Sequence, residues 1–89
     1  MRIDKLLWFL RLAKTRGLAQ HWAQAGHIRR NGQRVERAAQ HVGVGDVLTL
    51  PLGTRVIAIR VLALPGRRGP ASEAQACYER LESQPQGEA

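Results

Sequence analysis

KTRGLAQHWAQAGHIRRNGQRV, residues 14–35, decides how this chain folds. Thr15 is a helix N-cap, its hydroxyl able to accept from a backbone N–H two or three residues on. Leu18, Trp22 and Ala25 then fall on one helical face, and Ala19 and Ala23 are small enough for a second helix to come close. Gly26 stops the helix as a residue able to take φ > 0. Asn31-Gly32 lies between two short runs and predicts a tight hairpin, because a type I′ turn needs φ > 0 at both central residues. Cations gather at the two ends of the segment, where a loop and a turn free them to reach a partner.

Upstream, Ile3, Leu6, Leu7 and Leu10 recur at i, i+3, i+4, i+7, which predicts an amphipathic helix of two to three turns. Asp4 sits in its first turn, where a carboxylate favours the helix dipole. Downstream, Val42-Gly43-Val44-Gly45-Asp46 reads as a turn into a strand over Val47 to Leu50, and Pro51 to Thr54 as another turn. Arg55 to Ala63 is β-branched and apolar and predicts the best strand. Leu64 to Pro70 is a loop. Ser72 and Gln75 form a capping box for a last helix carrying Ala74, Tyr78 and Leu81 on one face. The fold class expected is α+β: two N-terminal helices packed on a small antiparallel sheet, plus a short C-terminal helix. Residues 1–82 form one domain with its core motif in 1–50, and 83–89 form a flexible acidic tail.

The chain has 89 residues and a net charge of +7. Residues 1–60 carry eleven Lys and Arg against three acids, +8, while residues 61–89 carry three Arg against four Glu, −1. The charge is thus segregated onto the first two-thirds. Twelve of the fourteen cations are Arg, whose planar fork pairs bidentately with phosphate and stacks on bases. A single Cys77 excludes an internal disulfide and fits a reducing, cytoplasmic setting. Leu6 to Leu10 is too short, and too closely bracketed by Arg2, Lys5 and Arg11, to be a signal or membrane segment. No membrane partner is expected.

Arg11, Lys14 and Arg16 flank the start of the second helix. Its unpaired N–H groups and positive dipole end make a natural phosphate site. Arg29, Arg30, Arg34 and Arg37 straddle the hairpin as a basic ridge, and Asn31 and Gln33 add neutral groups able to reach sugars or base edges. Trp8 and Phe9 lie off the core stripe of helix one, where one could stack on a base or cover the sheet. His21, His27, His41 and Cys77 lack metal-ligand spacing, and Asp4, Glu36 and Asp46 are too scattered for acid–base work. No metal, cofactor or catalytic group is expected, and the chain reads as no enzyme. Asp4 is better placed to pair with Arg2 or a loop cation and orient it.

Arg2-Ile3-Asp4-Lys5-Leu6-Leu7, Lys14-Thr15-Arg16, Gly26, Asn31-Gly32, Val35 and Gly45-Asp46 follow one ordered pattern. It is R-x-D-K-x-L, [KS]-[ST]-R-[SG]-x-A, G-x-V-x-V-N-G-x-x-V and V-x-x-G-D. The sequence resembles the alpha-L RNA-binding motif family named after ribosomal protein S-four, over residues 1 to about 50. Its start is especially similar to the stand-alone branch typified by the ribosome-associated fifteen-kilodalton heat-shock protein of bacteria. The resemblance implies a noncatalytic protein docking on structured ribosomal RNA or ribosomal particles, in stress or stalled-ribosome handling. Matched by position, Arg2, Lys5, Lys14, Thr15, Arg16 and the hairpin around Asn31-Gly32 would face RNA. Two departures stand out: Arg30 occupies a usually apolar place, and Ala38-Ala39-Gln40 replaces the common P-S-x. Longer relatives carry a basic C-terminal extension, whereas this chain ends acidic.

A DNA-binding helix-turn-helix protein is the alternative, with Gln20, His21 and Gln24 as base readers. An accessory subunit acting in trans with an RNA-modifying enzyme would leave the same signature. Cations at loops and hairpin rather than along a helix face favour RNA, whose A-form is read by shape and backbone. The expected partner is structured RNA, bound by a monomer.

Overall fold

The structure, a computed structural model, describes residues 1–85. Helix α1 spans Ile3–Phe9 and α2 spans Arg16–Gln24. A hairpin of β1 (Arg29–Arg30) and β2 (Gln33–Arg34) follows, then β3 (Val47–Leu52), β4 (Arg55–Val61), α3 (Ala71–Gln75) and β5 (Tyr78–Pro85). The strands form one antiparallel sheet in the order β2-β1-β3-β4-β5. The α+β class with two helices on an antiparallel sheet is as the sequence implied.

The helix layer and one sheet face share a single core. Ile3, Leu6, Leu7 and Leu10 are fully or almost fully buried, as their spacing required. Leu48 faces Ile59 and Leu50 faces Ile57 across the β3–β4 ladder, and these side chains complete the core. On α2 the buried residues are Ala19 and Ala23, while Leu18, Trp22 and Ala25 are only half-buried. The expected stripe is therefore rotated. Two alanines let α1 approach closely, and that contact outweighs burying the larger side chains on one face.

Both helices end the same way. Gly26, at φ 76°, closes α2, with Gly26 N–H bonded to Ala23 O and His27 N–H to Trp22 O. Arg11, at φ 60°, plays this part for α1, with Arg11 N–H on Trp8 O and Leu12 N–H on Leu7 O. A Cβ-bearing residue in the left-handed region hides this stop from a sequence reading.

Four further expectations are corrected. β3 runs through Pro51 to Leu52 rather than turning at Pro51. Val47 bonds towards the hairpin, and alternation puts Pro51 on that same side, where β1 pairs only with Leu48 and Thr49. The missing N–H therefore costs no ladder bond. The last helix starts from Pro70 rather than from a Ser72 cap, and it ends at Gln75. Tyr78 and Leu81 lie instead on β5, paired with β4 from Val61 back to Arg55. An unpaired β4 edge would leave a row of backbone groups without partners, and pairing that row outweighs a weak helical pattern. Residues 83–85, assigned to the tail, extend β5, and the rest of the expected tail lies outside the described residues.

Candidate nucleic-acid interface

The corner between α1 and α2 is organised by one carboxylate. Asp4 is completely buried in the first turn of α1. It accepts from Arg2 Nε at 3.1 Å and Arg2 Nη2 at 3.1 Å, a bidentate pair. It also accepts from the Lys5 backbone N–H at 2.8 Å, Gln20 Nε2 at 3.1 Å and Arg16 Nε at 3.3 Å. Burial pushes the Asp4 carboxyl up, but the bonds from Gln20, Arg2, Lys5 and Arg16 together prevail and hold it below the ordinary value of 3.8. Asp4 is thus an anion that fixes two guanidinium groups from different helices. Their side chains remain 45% and 39% exposed, so each keeps N–H groups facing solvent.

The two helix starts differ. At α1, the Ile3 and Asp4 N–H groups donate to the Gln40 and Ala38 carbonyls, so no anion can take them. At α2, Thr15 is extended and its hydroxyl accepts from Leu18 N–H at 3.0 Å. The Arg16 and Gly17 N–H groups have no partner among the described residues. Exposed Lys14 precedes them, and Arg16 and Arg2 lie beside them on Asp4. Free N–H groups, a positive dipole end and convergent cations make a phosphate-binding arrangement.

Asn31 (φ 51°) and Gly32 (φ 82°) form the expected tight turn of the hairpin. A second carboxylate anchors it. Asp46 accepts from Arg30 Nε at 2.8 Å, Asn31 Nδ2 at 3.1 Å and Gly43 N–H at 2.9 Å. Burial raises the Asp46 carboxyl, and the Gly43, Asn31 and Arg30 bonds outweigh it, leaving it low. Asn31 Oδ1 accepts from Val47 N–H at 2.8 Å. The Arg30 guanidinium and the Asn31 amide therefore fasten the turn to the sheet. Arg34 lies across Gly26 at the C-terminus of α2, where a cation suits the helix dipole. Arg29 makes only a long contact to Gly32 O, 3.5 Å. Gln33 and Arg37 are exposed, with no side-chain partner among the described residues.

Of the remaining sequence candidates, Lys5 lies over the Phe9 ring, 5.2 Å from its centroid. Arg11 is drawn away from the α2 start, its Nε donating to Gly69 O at 2.6 Å. The structure thus brings together Arg2, Lys14, Thr15 and Arg16, and places Arg29, Arg30, Asn31, Gln33, Arg34 and Arg37 as a second group on the hairpin and the segment after it. Three residues take parts that the sequence reading did not give them. Gln20 and Asp46 act as anchors, and the Gly45-Asp46 motif was the available signal for Asp46. Arg68 donates Nε to Trp8 O at 3.1 Å and covers the Trp8 ring at 5.4 Å, a contact sixty residues apart that nothing in the local sequence signals. Phe9 is buried, while Trp8 is half-buried with Arg68 over one face of its ring. Among the described residues no cluster of three His, Cys, Asp or Glu could hold a metal ion. None of their helices is long and apolar enough to cross a membrane.

Known proteins share this architecture. The Heat shock protein 15 homolog of Haemophilus influenzae is 37% identical over 83 residues, 93% of this chain and 63% of the relative. The chain therefore spans about six tenths of that relative's length. The RQC P-site tRNA stabilizing factor of Bacillus subtilis is 39% identical over 61 residues, 68% of this chain and 70% of that protein. A solved structure of Vibrio cholerae Heat Shock Protein 15, described as trimeric, superposes with a TM-score of 0.86 at 34% identity, covering 91% of this chain and 81% of that one. The S4 domain model matches residues 1–48, the stretch that holds both carboxylate anchors and the cations they fix. On sequence and fold alike, the chain belongs to the S4 domain family.

Proposed function

We propose that this protein is a noncatalytic RNA-binding module that docks on structured ribosomal RNA or ribosomal particles, in the cytoplasm, during the handling of stressed or stalled ribosomes. The observation that carries the reading is the Asp4 corner: two arginines fixed on a buried carboxylate beside the open N-terminus of α2 and Lys14. That surface suits a phosphate backbone and contains no group poised for bond making. The name of one relative, a factor stabilising a P-site tRNA, supports a ribosomal context, and that of another, a heat shock protein, supports a link to stress. RNA is favoured over DNA because Gln20, one of three candidate base readers on α2, is spent on Asp4.

Affinity for ribosomal RNA fragments, titrated against salt, tests the reading. The slope of log affinity on log salt should be about 3–5, from roughly 0.7–0.9 per neutralised phosphate. A slope near zero, or duplex DNA bound as tightly as RNA at equal salt, overturns it. The expected monomer is checked by light scattering under the same conditions, and a trimer like that described for the Vibrio relative overturns that part alone.

A further inference from the structure

The segment between the hairpin and the Gly43–Asp46 turn holds a site that the phosphate arrangement does not use. Gln40 N–H donates to Arg37 O at 3.1 Å and closes a tight turn. That turn is clamped to the start of α1, by Ile3 N–H on Gln40 O at 2.8 Å and Asp4 N–H on Ala38 O at 3.4 Å. Arg2 and His41 then pair as an isolated antiparallel bridge. The result is a groove of about 270 Å³ lined by Arg37, Ala39, Gln40 and His41. It adjoins Arg2, one of the two arginines on Asp4, and its rim carries Arg37, which has no ion-pair partner among the described residues.

The lining has the chemistry that recognises a nucleobase. Unpaired RNA bases are held by stacking on imidazole or guanidinium planes and by hydrogen bonds to their edges. His41 and Arg37 supply the planes. Gln40 supplies the edge contact. Its Nε2 donates to His41 O at 3.1 Å, which orients the amide, and Oε1 and the second N–H have no partner among the described residues. A neighbouring donor and acceptor on one amide match a base edge. The groove lies just below the roughly 300–1,000 Å³ of pockets for drug-sized ligands, a size for one base and not a run of them. Ala39, with only a methyl group, keeps it open.

We infer that the Arg37–His41 groove receives a single unpaired nucleotide of the bound RNA, while the Asp4 corner holds the flanking backbone. The inference rests on the RNA-binding reading above. It rests on a built surface: the turn backbone is fixed by α1, and the bridge to Arg2 ties the groove to the cations.

Three blunt RNA duplexes test it: fully paired, with one unpaired nucleotide, and with an abasic residue at that position. The full chain should bind the second about tenfold more tightly than the other two, the scale of one stacked base. Ala39→Leu, which fills the groove from an exposed position, and Gln40→Ala, which keeps the turn backbone, should each abolish that preference. Affinity for the paired duplex and the melting temperature should not change. Equal binding of all three duplexes by the unaltered protein overturns the groove and leaves the RNA reading standing. So does a preference that survives both substitutions. Failure to bind any duplex overturns both.

Discussion

Replacing Asp4 with Asn keeps the shape of the side chain and removes its charge. Asp4 is fully buried and accepts five hydrogen bonds. Asn offers one acceptor oxygen and turns an NH2 group towards donors, so at least part of the Gln20, Arg2 and Arg16 set loses its partner. The arginines can turn to water, because their side chains are 45% and 39% exposed, so their share is discounted. With one buried neutral bond lost and the charge-assisted bonds weakened, the cost is about 2–3 kcal/mol. At 4–8 °C per kcal/mol for a domain of this size, the melting temperature should fall by about 10–20 °C. Circular dichroism melts at neutral pH read this directly. RNA affinity, measured where the variant is folded, should fall as well. Two arginines must then be immobilised on binding, at about 0.5–1.5 kcal/mol each, or roughly five- to 150-fold together. The sign is informative, since the variant gains one unit of positive charge and bulk electrostatics alone would tighten binding. An unchanged melting temperature, or a folded variant that binds RNA more tightly, refutes the positioning role of Asp4.

Both carboxylates make stability acid-sensitive. Their folded values lie below the ordinary 3.8, so their contribution is complete above that value and is lost as pH falls through the lower, folded one. Melting temperature should hold level from neutral pH down to about 5 and drop below about 4, and Asp4→Asn should flatten that drop; an acid limb of equal steepness in the variant would show that Asp4 does not contribute. Asp46→Asn should loosen the hairpin and cost about 1–2 kcal/mol in urea unfolding, because it weakens bonds to Arg30, Asn31 and Gly43 together. Gly26→Ala should cost more than Gly32→Ala: both sit at positive φ, but only at Gly26 does the new Cβ meet the Arg34 guanidinium; equal costs would show that Arg34 moves aside freely. Lys14→Ala should weaken RNA binding by about 1–2 kcal/mol with no change in melting temperature, whereas Arg16→Ala should lower both, because only Arg16 is bonded to Asp4.

The sequence by itself determined the elements whose physics is local. The Ile3-Leu6-Leu7-Leu10 spacing, the Thr15 cap, the Gly26 stop and the Asn31-Gly32 turn each act within a few residues, and each appears where its chemistry demands. The segregation of charge onto residues 1–60, and the cations around α2 and the hairpin, were likewise legible. What only the tertiary structure decided involves partners far apart in the chain. Tyr78 to Pro85 becomes a strand because β4 presents an edge that must be paired, a demand no local periodicity expresses. The division of cations into those fastened and those exposed was equally hidden. Arg30 and Asn31 meet Asp46, fifteen or sixteen residues away, Arg16 meets Asp4 twelve residues away, and Arg11 meets Gly69 across the whole fold. The Arg37–His41 groove exists only because the start of α1 clamps the turn that forms it. Spacing along a chain reports what neighbours do to one another. Which charge reaches which carboxylate, and which backbone edge needs a partner, is settled when distant segments compete for the same buried donors and acceptors.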